Sequence, residues 1–455
     1  MKIKHLLVSL VLGLGSAMAL PWLLNQSGKG PPVVRAASYT VCPAGPPACD
    51  YSSIQAALDA ASDGDVVKVA AGTYTDVSVR PRRDVTTTGV VTQVVYINKA
   101  VTVRGGYTTT NGFADPPDPH ANPTTLDAQG QGRVLYITGD ISPTVEGLRI
   151  VGGNDRGQGG GDYYVGIGFD DYGGGVYIIT AAVTISNSQV LSNTGHDCGG
   201  GLCLVNSEAT LSNNIIAYNT AASFGGGLCL VDSGATLSGN SVVRNSAGDF
   251  GGGLSLWRGN ATLGGNAIIS NTADAGGGLL IEGGDTMLSN NVVADNRANS
   301  EGSGLCIWGA HSHLLHTTIA RNSGGDGSGL RVDGSGTRYS SVVLTNTVLV
   351  SHGVGISITS GNTVTVDAVL WHSTPVTISY SADASVTVHN QCKGAPAFAA
   401  DGYHLTRGSA AVDRGVNAGV ATDIDGEPRP AGANPDLGAD ELWYKTYLPV
   451  VLRSR

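Results

Sequence analysis

The chain has 455 residues, with 26 Lys plus Arg against 36 Asp plus Glu and a net charge of −10. No basic stripe is visible, which excludes nucleic acid as a natural partner. Only 14 % of residues are charged while glycine numbers 67, a composition that suits short strands and tight turns and argues for an all-β chain.

At the N-terminus, MKIKHLLVSLVLGLGSAMAL places Lys2 and Lys4 ahead of an uncharged stretch from Leu6 to Leu24. It reads as an export signal within residues 1–36, cleaved after Ala19 or Ala36, or kept as an anchor because the run is long enough to span a bilayer. The expected location is extracellular or cell-surface attached. Cysteines oxidise in such a compartment, and Cys42 and Cys49, flanking PAGPPA, are expected to pair. Seven cysteines leave at least one without an internal partner. In SSIQAALDA, Ser52 or Ser53 is placed to cap a helix that buries Ile54, Ala57 and Leu58. Residues 37–125 are taken as an N-terminal cap and first coils.

Residues 126–390 carry a repeat. Blocks of the GGGL type begin at Gly173, Gly199, Gly225, Gly251, Gly276, Gly302, Gly327 and Gly353, in steps of 25 or 26 residues. Asn193, Asn219, Asn245, Asn271, Asn296 and Asn322 keep the same beat. So do two apolar columns, one through Ile185, Leu211 and Leu237, the other through Val190, Ile216 and Val242. Alternation of period two within each stretch marks about three short strands per repeat, each with one apolar face. One unit cannot bury those faces alone, whereas stacking equivalent strands in parallel, about 4.8 Å apart, joins them into one core. The Asn column is expected to occupy left-handed turns and to hydrogen-bond from coil to coil. The glycines serve either a sharp corner or a close backbone approach.

These columns, with SSIQAALDAASDGDVVKVAAGTY at Ser52 to Tyr74, resemble the pectin-lyase-like superfamily. The GGGL and YNT phrases also resemble the repeats of polymorphic outer-membrane proteins. The resemblance implies a single-stranded right-handed parallel β-helix of about 26 residues per coil, its open end plugged by the early helix. It implies little about chemistry, because the fold hosts lyases, hydrolases, adhesins and structural proteins. Residues 391–441, through GYHLTRGSAAVDRG, DIDGEPRP and DLGADE, resemble the choice-of-anchor type C-terminal module of secreted bacterial β-helix proteins. A structural reading, in which this stretch caps the last coil, is equally compatible. The final residues, 442–455, are apolar with a basic end and too short to span a membrane; they read as a sorting tail or a docking strand.

Outward positions of the GGGL strands include Tyr177, Cys203, Cys229, Ser255, Leu280, Cys306 and Arg331, then Trp257, Glu282, Trp308 and Asp333. Indoles beside a carboxylate suit a sugar, so Trp257, Glu282, Trp308, Arg331 and Asp333 are candidate glycan-binding residues, unless a covering segment buries the tryptophans. Glu282 and Asp333 are also the candidate catalytic carboxylates of an alternative reading, a polysaccharide lyase or glycoside hydrolase. Asp170-Asp171 and Gly195-His196-Asp197 resemble two polygalacturonase motifs in order, without the third glycine or the NTD and RIK sequences of that family. The turn column Asp171, Asp197, Asp249, Asp274, Glu301 and Asp326 is a candidate Ca²⁺ column, although no cofactor is required. Cys203 and Cys229, one coil apart, are a possible second disulfide, with side chains that point the same way. The sequence therefore favours an exported, monomeric protein for display, adhesion or glycan binding. Its expected partners are a polysaccharide or cell-surface glycan and the cell envelope.

Overall fold

The computed structural model describes residues 36–81, 89–157 and 171–443. The expected export signal and nearly all of the C-terminal tail lie outside these residues, as does Asp170. From Ala37 onward the chain forms one compact unit. No helix among the described residues is long and apolar enough to cross a membrane.

Each repeat is one coil, and a coil holds four strands rather than three. In one coil these are Leu202–Val205, Glu208–Ser212, Ile215–Ala217 and Thr220–Ala221. Each pairs in parallel with its counterpart in the next coil: Leu202 with Leu228, Glu208 with Gly234, Ile215 with Ser241, Thr220 with Ser246. The fourth strand has only two residues, too few for a period-two pattern to show in sequence. The molecule is a parallel β-helix. Its one antiparallel pairing of described strands joins Ser78–Pro81 to Val90–Ile97 near the N-terminal end.

Leu202, Leu204, Leu211 and Ile216 point inward and are at most 1 % exposed, and the stacked equivalents form one continuous core. The corners are built differently from the sequence expectation. The left-handed residue is the one before each ladder Asn: Tyr218 has φ 59° ahead of Asn219, and Arg244 has φ 55° ahead of Asn245. That residue turns the chain, and the Asn side chain then points inward to serve buried backbone groups. Asn219 Oδ1 accepts from the backbone N–H of Asn193 at 2.9 Å and from its amide at 3.0 Å, while Asn219 Nδ2 donates to Val190 O at 2.9 Å. A second ladder, Asn214, Asn240, Asn266 and Asn291, does the same at another corner. Buried corner amides that no strand can satisfy are thereby paired.

The first ladder ends on His352, whose Nε2 accepts from the backbone N–H and amide of Asn322 at 3.4 and 3.3 Å. Burial lowers the His352 pKa to about 4, which keeps it the neutral acceptor that the ladder needs.

At the N-terminal end, α1 (Ile54–Ala60) starts at Ser53, whose hydroxyl accepts from Ala56 N at 3.4 Å. It buries Ile54, Ala57 and Leu58 against the core, and Lys99 Nζ donates to the carbonyls of Leu58, Asp59 and Ala61 at its C-terminus. The C-terminal module packs across the side of the last coils. Leu405, Ala411, Leu437 and Ala439 cover Val292, Ala320, Val348 and Leu370 in a separate apolar cluster. Asn346 and Asn290 fasten it through Val416 and the Thr422 carbonyl. Its PRP and GADE phrases meet in a buried ion pair, Arg429 with Glu441 at 2.9 Å.

Candidate functional site

The outward face of the GGGL sheet is closed. Its column runs in register from Tyr96 through Tyr136, Tyr177, Cys203, Cys229, Ser255 and Leu280 to Cys306, and every one of these residues is buried. The cause lies in the turn before each strand. The first glycine of a block takes a left-handed conformation, φ 60° at Gly225, and folds the chain back over the strand that follows. The residue ahead of it then lies across the outward column, and Tyr172, Cys198, Phe224 and Phe250 bridge in parallel from coil to coil. Together these layers form a second apolar cluster outside the main core. The second glycine has a different use. A Cβ on Gly226 would land on the carbonyl oxygens of Ser246 and Gly252, so close approach requires glycine there.

Trp257, Glu282, Trp308 and Asp333 do stand in one register, as their spacing implies. They are nevertheless engaged within the molecule. Trp257 meets Phe224 edge-on at 5.1 Å and Trp308 meets Phe250 at 5.0 Å; both indoles are half-buried. Glu282 Oε1 accepts from Ser335 Oγ at 2.8 Å. Asp333 accepts from Gly334 N at 2.8 Å and from the Thr359 hydroxyl. Arg331 pairs with Asp333 at 3.2 Å and with Glu301 and Asp326 at 3.3 Å. The two carboxylates considered for catalysis thus each hold a neighbour in place.

The acidic turn residues are likewise distributed among separate partners. Asp171 Oδ2 accepts from Gly157 N at 2.6 Å, Asp197 Oδ2 from Asp171 N at 3.1 Å, and Asp197 Oδ1 faces His196 Nδ1 at 3.1 Å. Glu301 and Asp326 share Arg331; burial raises the Glu301 pKa although Arg331 opposes it. Asp249 and Asp274 sit one coil apart in the same turn. Among the described residues, two clusters bring three His, Cys, Asp or Glu ligand atoms within 4.8 Å of one another, and neither draws on this column. One is His404 with Asp425 and Asp440 in the C-terminal module. Burial opposes charge on His404, but hydrogen bonds to Asp401 and Asp425 outweigh it and lift its pKa to about 9. The other is Cys198, Cys203 and Cys229.

Cysteine pairing departs from the sequence reading at one site. Cys42 and Cys49 are bonded, and the second disulfide joins Cys229 to Cys198, not to Cys203. The back-folded turn places Cys198 over the column in which Cys203 and Cys229 point the same way. Cys198 and Cys229 can therefore face each other, while the in-register pair cannot. Cys203 remains a buried thiol beside them.

The open surface lies on the neighbouring sheet. There a groove of about 770 Å³ crosses successive coils, lined by Thr184, Thr210, Thr236 and Thr262, with Met287 and His313 continuing the same register. Glu208, Asn260, Asp285 and His311 stand along its side, and no Lys or Arg is among its described lining residues. Thr210, Thr236, Thr262, Asp285, His311 and His313 are exposed. Stacked threonines recur about every 4.8 Å, presenting one hydroxyl per coil as both donor and acceptor. The signal was present in the sequence as threonines 26 residues apart, but Thr at outward strand positions is ordinary.

Residues 167–335 match the family model described as periplasmic copper-binding protein (NosD). The matched segment is well under half of the chain and contains Cys198, Cys203, Cys229 and every lining residue of the groove. No curated protein matches the chain. Among solved structures, pectate lyase Pel9A is 14 % identical with a TM-score of 0.35, the likeness covering 89 % of this chain and 96 % of that one. The catalytic unit of a thermostable α-1,3-glucanase from Streptomyces thermodiastaticus is 12 % identical with a TM-score of 0.39, over 75 % of this chain and 65 % of that one. PfbA, a surface adhesin of Streptococcus pneumoniae, is 12 % identical with a TM-score of 0.32, over 75 % and 88 % of the two chains.

Proposed function

We propose that this is an exported β-helix protein that binds an extended, neutral glycan along the threonine-lined groove. The observation that carries the reading is the groove itself: a long trough of mixed polar and apolar lining whose threonine hydroxyls repeat from coil to coil, ending in Met287, His311 and His313. A linear polymer can lie along such a trough with one set of contacts per coil, and its apolar ring faces can rest on the threonine methyls and Met287. Glu208 and Asp285 supply negative charge with no Lys or Arg among the lining residues, so a polyuronate would be repelled. The export signal read at the N-terminus supports an extracytoplasmic setting, as does the word periplasmic in the description of the matching family. Display or adhesion then follows from a stack of coils that offers an open groove along one face.

The test is binding of mature protein to soluble neutral glucans and to polyuronates, followed by isothermal calorimetry, with Asp285→Ala/His313→Ala as the groove variant. Neutral chains should bind and the variant should lose most of that affinity. Tighter binding to polyuronate, or loss of binding on Trp257→Ala/Trp308→Ala but not on the groove variant, would move the site to the other face. A reducing-end assay on the same samples separates binding from hydrolysis.

A further inference from the structure

The three sulfurs of Cys198, Cys203 and Cys229 lie together within 4.8 Å, and the Cys203 sulfur is 3.5 Å from that of Cys198. All three residues are at most 2 % exposed. A disulfide alone needs two cysteines; the third has no bond to make, yet it stands in register with Cys229 at the centre of the closed layer. Cys306 offers an internal comparison, since it occupies the same column, equally buried, in no such sulfur cluster.

The surroundings are unusual for a purely apolar layer. Asp155 is wholly buried, with Oδ1 accepting from His196 N at 2.7 Å and Oδ2 without a hydrogen-bond partner. Arg133 is also wholly buried and donates from Nε to the Tyr172 carbonyl at 2.7 Å. Both charges lie close enough to act electrostatically on Cys203. Burial holds the Asp155 pKa at about 7, against the pull of Arg133. A leftover carboxylate oxygen and a buried guanidinium beside a sulfur trio are the polar parts that a charged occupant would use.

We propose that Cys198, Cys203 and Cys229, in their reduced form, are a site for a soft, thiophilic cation, with Cu(I) as the fitting case. Three sulfurs in a dry layer are soft donors that favour Cu(I), and they lack the nitrogen and oxygen set that Cu(II) prefers. The word copper in the description of the family matching residues 167–335 agrees with that donor chemistry. The Cys198–Cys229 bond is then the oxidised, closed state. A dithiol donor opens it by giving two electrons and two protons and becoming a disulfide itself. Binding of Cu(I) next forms three S–Cu bonds and releases the three S–H protons, and Arg133 offsets part of the remaining negative charge. This site is independent of the groove.

The experiment uses full-length mature protein carrying Cys42→Ser/Cys49→Ser in every sample, so that no second dithiol is released, reduced anaerobically with a phosphine. The phosphine supplies the two electrons, water supplies the two protons, and the phosphine leaves as its oxide. Cu(I) is then titrated in competition with a chromophoric Cu(I) chelator. Reduced protein should bind one Cu(I) per chain with near-ultraviolet thiolate charge-transfer bands and an all-sulfur shell by X-ray absorption, and unreduced protein should bind none. Cys203→Ala keeps the disulfide and hence the fold; after reduction it should bind at least about 100-fold more weakly, beyond the loss typical of outer-shell partners. Cys306→Ser should bind like the protein that keeps Cys306. Reduced protein whose affinity matches that of Cys203→Ala, or equal loss in Cys306→Ser, overturns the proposal, because the trio would then be packing alone.

Discussion

Two outer faces of the same coils have opposite fates. The face of the GGGL sheet is sealed by aromatic rings and sulfur, while the next face, a corner away, is an open trough of threonines. Both present every second residue outward on parallel strands of similar length. The difference comes from the chain before each strand. Ahead of Leu228–Val231, a left-handed Gly225 folds Phe224 back over the sheet. Ahead of Gly234–Ser238, the corner at Ser233 spends its hydroxyl on Val231 O and Ser207 N and sends nothing over the strand. What a β-helix exposes is thus decided as much by its turns as by the outward residues of its strands.

The largest effect should come from the close backbone approach at the glycine block under the closed face. Gly226→Ala drives a methyl into two backbone oxygens of adjacent coils, and backbone cannot move aside as a side-chain tip can. A loss of about 4 kcal/mol or failure to fold is expected, in the exceptional range for one substitution. Chemical unfolding followed by circular dichroism measures it, and a loss below about 1 kcal/mol would mean that the coils separate freely there.

Removing the lid residue should cost less than filling that close approach. Phe224 is 8 % exposed and packs on Phe250 and Trp257. Phe224→Ala should destabilise by about 3 kcal/mol, at the low end for a buried Phe because the residue keeps some exposure. Trp257 fluorescence should shift to the red as water reaches the indole. An unshifted spectrum would show that Phe224 is not what shelters it.

Acid should probe the ladder beneath the closed face. The folded pKa of His352 is about 4 against an unfolded value near 6.5. Below 6.5 the unfolded chain takes up the proton first. The contribution of neutral His352 is therefore whole above pH 6.5 and lost as pH falls through 4. That is about 3 kcal/mol across the window. His352→Asn restores a ladder amide that does not titrate, so its stability should fall less steeply between pH 6.5 and 4 than that of the unsubstituted protein. Taking the difference between the two proteins removes Asp155, Asp436 and Asp440. Burial raises the pKa of each of these, to about 7, 6 and 6, and they act with the opposite sign.

Much of this architecture was legible because periodic stacking writes itself into the sequence. Leu202, Leu228 and Leu254 recur because each must fill the same slot, and the Asn193 to Asn322 column because each serves the same corner. The capping helix at Ile54 was legible from Ser53 and the apolar spacing. The fold-over was not. Tyr172, Cys198, Phe224, Phe250 and Ala275 share a position but not one common residue type, and they stand in what reads as a turn. Without it, Cys198 had no visible partner, since its distance to Cys229 is one coil plus the five residues of the returning turn. The groove escaped for the reverse reason: Thr184, Thr210, Thr236 and Thr262 are regular but commonplace, and only the open surface around them gives the column a use.

The smallest effect on stability should come from the open face, and there it is the informative result. Thr236 is exposed at the middle of the groove, with Thr210 and Thr262 as its register neighbours. Thr236→Val keeps the β-branched shape and removes one hydroxyl that bonds to no buried group, so stability should stay within about 0.5 kcal/mol. If the groove holds a glycan, the same change should weaken binding several-fold, since a lost hydroxyl contact is worth about 1 kcal/mol. Paired calorimetry and thermal unfolding on one sample read both. A variant that loses stability instead would show the threonine column to be part of the scaffold, and the contrast between a sealed face and a working one would vanish.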